Sequence, residues 1–268
     1  MITFGDLSEI GGETRLAVIN LLYRLGDDEL VMGHRSAESA DLLPALVYRA
    51  EFSAIAHDEI RHAGFYYEML RMLDPARPEV LLRSPREFRC ASLASRPPCK
   101  EWEPSVLRQF LYDAAEMVRL TALRESRLTP LAALAGQLRE REHSHLAHGR
   151  RWVLQLSRTS SESHEKLQNA LDELYPYALG IFEPTEADEP LTQAGICPHE
   201  EDLRRQWESA VAPVIAEAAL GLPETVQPVH GGRVGRHSPA LVELLECLRR
   251  RVPMASGAPE DERSRAAR

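Results

Sequence analysis

Residues 57–62 read HDEIRH, and the pair that matters inside them is Glu59-x-x-His62. Residues three apart on a helix lie about one turn apart on one face, so a carboxylate and an imidazole at that spacing can grip the same metal ion. With 30 Glu and 10 His among 268 residues, random placement gives about one such pair. This chain has three: Glu59/His62, Glu140/His143 and Glu142/His145.

Hydrophobic periodicity sorts them. Around the first pair the apolar positions Phe52, Ile55, Tyr66, Met69 and Leu73 recur at helical spacing, and Glu59 and His62 fall in the same stripe. The helix that carries them is expected over 44–73. A fourth helix, from Thr129-Pro130 to about 157, has the stripe Leu134, Leu138, Glu142, His145, Gly149, Trp152 and Leu156, which turns Glu142/His145 inward and leaves Glu140 and His143 on a polar face.

Two further helices complete the set. Residues 14–40 place Glu29 in line with Val18, Leu22, Leu25, Met32 and Ser36. A carboxylate in that position is costly unless paired or metal-bound. Asp27 and Asp28 fall off the stripe and are expected to be solvated, and Asp41 with Pro44 is expected to open the next helix. Residues 105–127 place Asp113 with Val106, Phe110, Met117 and Leu120, and Glu116 one turn away. Between the two helix pairs, residues 74–104 hold Pro75, Pro78, Pro85, Pro97, Pro98 and Pro104, so this stretch is expected as a long crossover.

Spacing gives a separate test. Glu29 to Glu59 is 30 residues and Asp113 to Glu142 is 29. Two antiparallel hairpins of that matched length return their carboxylates to one layer, ~20 Å below each turn. Glu116 to Glu142 is only 26, which favours Asp113 as the third-helix ligand. Six such groups on four apolar faces are a severe burden without a cation. Four carboxylates and two imidazoles suit a pair of iron ions, with manganese as the alternative, better than zinc or calcium. One Glu-x-x-His from each of two helices and one carboxylate from each of the other two is the donor set of four-helix di-iron carboxylate proteins.

The rest of the chain narrows the class. Hydrophobic residues make up 44% and charged residues 27%, as in an ordinary globular protein. The net charge is −9, and Lys100 and Lys166 are the only lysines. No basic stripe points to nucleic acid, and no apolar run approaches the ~18 residues of a membrane span. Cys90, Cys99, Cys197 and Cys247 form no Cys-x-x-Cys pair, as expected of a cytoplasmic protein with inert thiols. Further helices are expected at 161–182, 200–220 and 239–251, with 221–237 as a loop. The fold expected is all-α: a ferritin-like four-helix bundle with a long crossover and additional C-terminal helices, one domain over 1–252, and a disordered tail at 253–268.

Five stretches carry a resemblance: LGDDELVMGHRSAE (25–38), PREFRC (85–90), FLYDAAEMVRLTALRES (110–126), WVLQLSRTSSESHEKLQNALDELYPY (152–177) and GGRVGRHSPALVELLECLRR (231–250). They resemble the phenylacetyl-CoA epoxidase family, its C subunit in particular, over roughly residues 15–252. The resemblance implies a ferritin-like protein of phenylacetate degradation, a separate electron-donating reductase, and assembly with itself or with a related ferritin-like subunit. The C subunit of that family supports a catalytic A subunit and has lost its metal ligands. This chain departs from it, having Glu29, Glu59 and His62 at positions where neutral residues stand in that subunit. Asp113 and Glu142/His145 match ligands of the catalytic subunit. The expectation is therefore a di-iron oxygenase that uses O2 to insert an oxygen atom into a small organic substrate. Glu29, Glu59, His62, Asp113, Glu142 and His145 would hold two Fe ions, and Glu116 would be a carboxylate that shifts or supports a ligand histidine. The alternatives are a non-catalytic scaffold subunit and an iron-handling protein. No set of CoA-contacting residues is matched, so the substrate is not carried over.

Overall fold

The computed structural model describes residues 5–43 and 45–251. Among them all regular structure is helical. Helix α1 (Gly12–Ala40) and α2 (Leu46–Leu73) form one antiparallel hairpin; α3 (Trp102–Leu123) and α4 (Thr129–Leu156) form the other. The crossover between them contains only the single turns Val80–Leu82 and Pro85–Glu87, the second closed by reciprocal bonds between Ser84 and Glu87. This is the ferritin-like four-helix bundle with one long crossover. Helices α5 (Ser161–Leu179) and α7 (Glu200–Glu217) pack on α3, α6 (Asp188–Gln193) packs on α1, and α8 (Pro239–Arg251) lies against the two crossover turns. None of the described helices is long and apolar enough to cross a membrane.

The stripes read from the sequence are the buried faces. Val18, Leu22 and Leu25 of α1, Phe52, Tyr66 and Leu73 of α2, Val106, Phe110 and Leu120 of α3, and Leu138, Trp152 and Leu156 of α4 all belong to one core. The hairpins close tightly at the level of Glu29 and Glu59. One turn beyond Glu29, a Cβ on Gly33 would stand 2.8 Å from Ile60 Cγ1 and 3.0 Å from both the Ala56 carbonyl oxygen and Glu59 Cβ. Only glycine lets α1 and α2 approach so closely there.

Several expectations are corrected. Asp27 and Asp28 are not solvated; they are 0% and 1% exposed, and pair with Arg83 and Arg233. Both partners lie far along the chain, so single-helix periodicity could not reveal them. Asp41 closes α1 rather than opening α2, whose cap is Ala45; Pro44 lies outside the described residues. Pro104 sits inside the first turn of α3, where its missing N–H costs nothing. Helix α3 stops at Leu123, and the backbone N–H of Arg127 instead donates to the Gly195 carbonyl at 3.0 Å. The six-residue α6 was unforeseen, and the expected tail at 253–268 lies outside the described residues.

Candidate metal centre

Seven ionisable side chains project from the four bundle helices into one chamber: Glu29 from α1, Glu59 and His62 from α2, Asp113 and Glu116 from α3, Glu142 and His145 from α4. The five carboxylates are completely shielded from solvent, and the two histidines are 3% and 4% exposed. Two triplets form within it. Glu29, Glu59 and His62 each offer a ligand atom within 4.8 Å of the others, and so do Glu59, Glu142 and His145. Glu59 belongs to both. His62 Nδ1 lies 3.6 Å from Glu29 Oε2. His145 Nδ1 lies 3.4 Å from Glu142 Oε2 and 3.5 Å from Glu59 Oε1. The two imidazole rings are 6.0 Å apart and inclined by 27°.

Neither third-helix carboxylate belongs to a triplet. Asp113 is tied in by Gln109, whose Nε2 donates to Asp113 Oδ1 at 2.5 Å and to Glu59 Oε1 at 3.1 Å, while Ser36 donates to the Gln109 carbonyl oxygen. Asp113 Oδ2 is left without a partner. Both oxygens of Glu116 also lack a hydrogen-bond partner, with Arg119 Nε 3.9 Å away. Sequence reading missed Gln109, although its position four residues before Asp113 places it on the same helix face. Glu140 and His143 are exposed, as their polar stripe implies.

The unmet bonding of this chamber shows what it fits. Both oxygens of Glu29 and Glu142, Glu59 Oε2, and the Nδ1 atoms of His62 and His145 are buried with no hydrogen-bond partner. Buried ionisable atoms are ordinarily paired or bound to metal. Every orphan is a hard oxygen or an imidazole nitrogen facing a shared space, so the residues fit a pair of iron or manganese ions.

Without a cation the carboxylates resist ionising together. Burial, reinforced by the charge of Glu59, pushes Glu29 well above the usual carboxylate range. Burial, with Glu142 and Glu59 nearby, raises Asp113 likewise. Glu116 is raised by burial to about 8 even with Arg119 opposing, and Glu142 by burial to about 7 although His145 partly offsets it. Burial would lower the pKa of His145, but the flanking Glu142 and Glu59 carboxylates override it and raise it. Burial would raise Glu59, yet its contacts with Glu29 and His145 hold it low. The chamber therefore stores protons that a cation would displace.

Around it lie supporting groups. Asp58 Oδ2 stands 3.6 Å from His145 Nε2, leaving Nδ1 toward Glu59 and Glu142. Asp58 and His145 also line a cleft of about 630 Å³ on the outer α2–α4 seam, together with Arg141, His143, His148 and Arg151. On the opposite side Arg119 makes a two-point contact with Glu200 at 2.7 and 2.9 Å, and Glu200 also pairs with Arg24. The phenol oxygens of Tyr66 and Tyr112 are buried beside the carboxylates without partners.

A family model described as phenylacetic acid catabolic protein matches residues 3–258. The chain is also 29% identical over 236 residues to the C subunit of 1,2-phenylacetyl-CoA epoxidase from Escherichia coli strain K12, a match covering 86% of this chain and 95% of that protein.

Proposed function

Because the chain belongs to the phenylacetic acid catabolic protein family, we propose that it is an oxygenase in its own right: a di-iron carboxylate monooxygenase rather than only a structural component of one. The observation that carries this reading is the complete, buried and otherwise unbonded donor set, with Glu59 common to both triplets. Glu29 and His62 would hold one ion, Asp113, Glu142 and His145 the other, and Glu59 both. An iron pair bound there, or manganese in its place, would supply the reduction of O2, one oxygen atom going to an organic substrate and the other to water, with two electrons from a separate reductase.

The protein's own groups do the rest. Asp58 stands 3.6 Å from His145 Nε2, on the side of the ring away from Nδ1, where its charge would favour that orientation. Gln109 fixes the relative placement of Glu59 and Asp113 by donating to both. Glu116 is the carboxylate left free to act: it belongs to neither triplet and both its oxygens lack hydrogen-bond partners, so it would be able to shift toward the ions or support a ligand histidine. Burial keeps bulk water from the donors, none of which is more than 4% exposed. The name of the Escherichia coli relative points to an aromatic acyl-thioester as the first substrate to try, with epoxidation or hydroxylation as the reaction. A small-molecule substrate and an oligomeric assembly, with itself or with a related ferritin-like subunit, accompany this reading.

One observation favours a second reading. The similarity to the Escherichia coli C subunit spans nearly the whole length of that protein, as a scaffold that retains ligands would show. The two are separated by reducing the iron-loaded protein chemically, mixing it with O2, and following visible absorbance with and without candidate aromatic and acyl-thioester substrates. The oxygenase reading predicts a transient that decays faster with the right substrate and leaves an oxygenated product. Slow oxidation to a stable ferric form, indifferent to every candidate, supports the scaffold.

A further inference from the structure

The segment 231–237, GGRVGRH, contributes nothing to the metal centre, yet it is built into the molecule more tightly than a surface connection requires. Arg233 is 2% exposed. Its Nη1 forms an ion pair with Asp28 Oδ2 at 2.7 Å and donates to the Arg89 carbonyl at 2.9 Å, and its Nη2 donates to the Ile181 carbonyl at 2.8 Å. The backbone N–H groups of Gly231 and Arg233 both donate to Glu183 Oε2, at 2.8 and 3.2 Å. A Cβ on Gly232 would collide with the Cys90 carbonyl oxygen, and one on Gly235, at φ +78°, with that of Arg86. The loop is thus pressed flat onto residues 86–92 of the crossover.

That crossover segment holds the same turn of α1. The Ala91 N–H donates to Asp28 Oδ1 at 2.6 Å, and the Arg89 N–H to Asp27 Oδ2 at 2.6 Å. Asp27, Asp28 and Glu29 are consecutive. A helix residue turns about 100° from its neighbour, so a carboxylate anchored at Asp28 sets the rotation of α1 at the point where Glu29 leaves it. A buried charge bound by a distant arginine is a rigid anchor, because releasing either partner strands the other.

We propose that Arg233 is a positioning residue for the metal position built from Glu29, Glu59 and His62: through Asp28 it sets the rotation of α1 that aims Glu29 at the other two. This rests on the reading of Glu29 as a ligand. It separates from a purely structural role because the residue that Arg233 aims, Glu29, belongs to one triplet and not to that of Glu59, Glu142 and His145. Only one of the two positions should feel its loss.

The test uses the full chain with Arg233→Met, which keeps most of the side-chain length, and Asp28→Asn, which is nearly isosteric and guards against a misfolded first variant. Each is titrated anaerobically with ferrous iron, bound metal per chain being measured after desalting, and separately with Mn(II) followed by electron paramagnetic resonance. Loss of a supporting contact typically weakens metal affinity by about 10- to 100-fold. Both variants should therefore hold one ion tightly and the second weakly, and the Mn(II) spectrum should change from that of a coupled pair to that of an isolated ion. Two tightly held ions in both variants, or parallel loss of both ions, overturns the inference. A wild-type protein that binds no metal is read before any variant is made; it removes the metal centre itself, and this inference with it.

Discussion

Alongside Glu29 and Asp113, whose carboxyls are also raised, the pH response of the metal-free protein is set by Glu116 and Glu142. Their folded-state values of about 8 and about 7 lie above the ordinary glutamate value of ~4.3. Each therefore keeps a proton that the unfolded chain has already released. The stability tied to these groups is complete below the unfolded value and is lost as pH rises through the folded one. His145, whose pKa is also raised, adds loss of the same sign. His34, His62, His148 and His237 are shifted down and give stability that is already complete above their ordinary value of ~6.5, so they do not offset it. The melting temperature of the metal-free protein should thus fall between about pH 6.5 and 8.5, and Glu116→Gln should flatten the slope. Iron-loaded protein should lack most of the fall, because its ligands are already deprotonated and the charge of the ions also favours ionised Glu116. Calorimetry with a chelator and with iron checks this; a rise over that range in the metal-free protein contradicts it. The choice of third-helix ligand is also tested at this scale. Asp113 has one oxygen fixed by Gln109 and one free, so Asp113→Ala should lose more bound iron than Glu116→Ala, and the reverse order would exchange their roles. Glu29, Glu59 and Glu142 stood out in the sequence because a carboxylate in an apolar stripe contradicts its neighbours. Asp27, Asp28 and Gln109 did not, because their partners are Arg83, Arg233 and the side chains of three different helices.

At the scale of the helix, the legible quantity was the length of each hairpin. The 30-residue interval brings Glu29 to Glu59 because α1 and α2 are joined by a short corner; the 29-residue interval leaves Asp113 close enough to Glu142 to feel its charge but outside both triplets. What periodicity could not give was the closeness of the pairs. Gly33 shows this: in sequence it interrupts a helix, and in the fold it lets α1 meet α2 beside Glu59. Alanine there would gain about 1 kcal/mol of helix propensity, but the added carbon meets the Ala56 carbonyl and Ile60, and overpacking of a closed interface costs about 1–3 kcal/mol. Gly33→Ala should therefore lower stability in chemical denaturation and weaken metal binding by separating Glu29 from Glu59. A variant more stable than wild type with undiminished metal would show that the hairpin has slack. The short α6 had no legible period, since six residues span fewer than two turns.

For the whole molecule, the bundle supplies the donors and the surrounding segments supply the countercharges. Glu200 at the start of α7 joins Arg24 of α1 to Arg119 of α3, and Arg83 and Arg233 reach α1 from the crossover and the C-terminal loop. The frame is similar in sequence to the C subunit of 1,2-phenylacetyl-CoA epoxidase, while the chamber inside it carries a full set of ligand-type groups. The central claim is that this chamber binds two ions, and metal stoichiometry tests it most directly. The chain, purified without oxygen and supplied with excess ferrous iron, should retain about two ions per chain after desalting. Glu59→Ala combined with His62→Ala, which removes the shared carboxylate and one imidazole, should retain none stoichiometrically while its helical circular dichroism stays near that of wild type. Undiminished iron in that double variant, or none in the wild-type chain, would contradict the account.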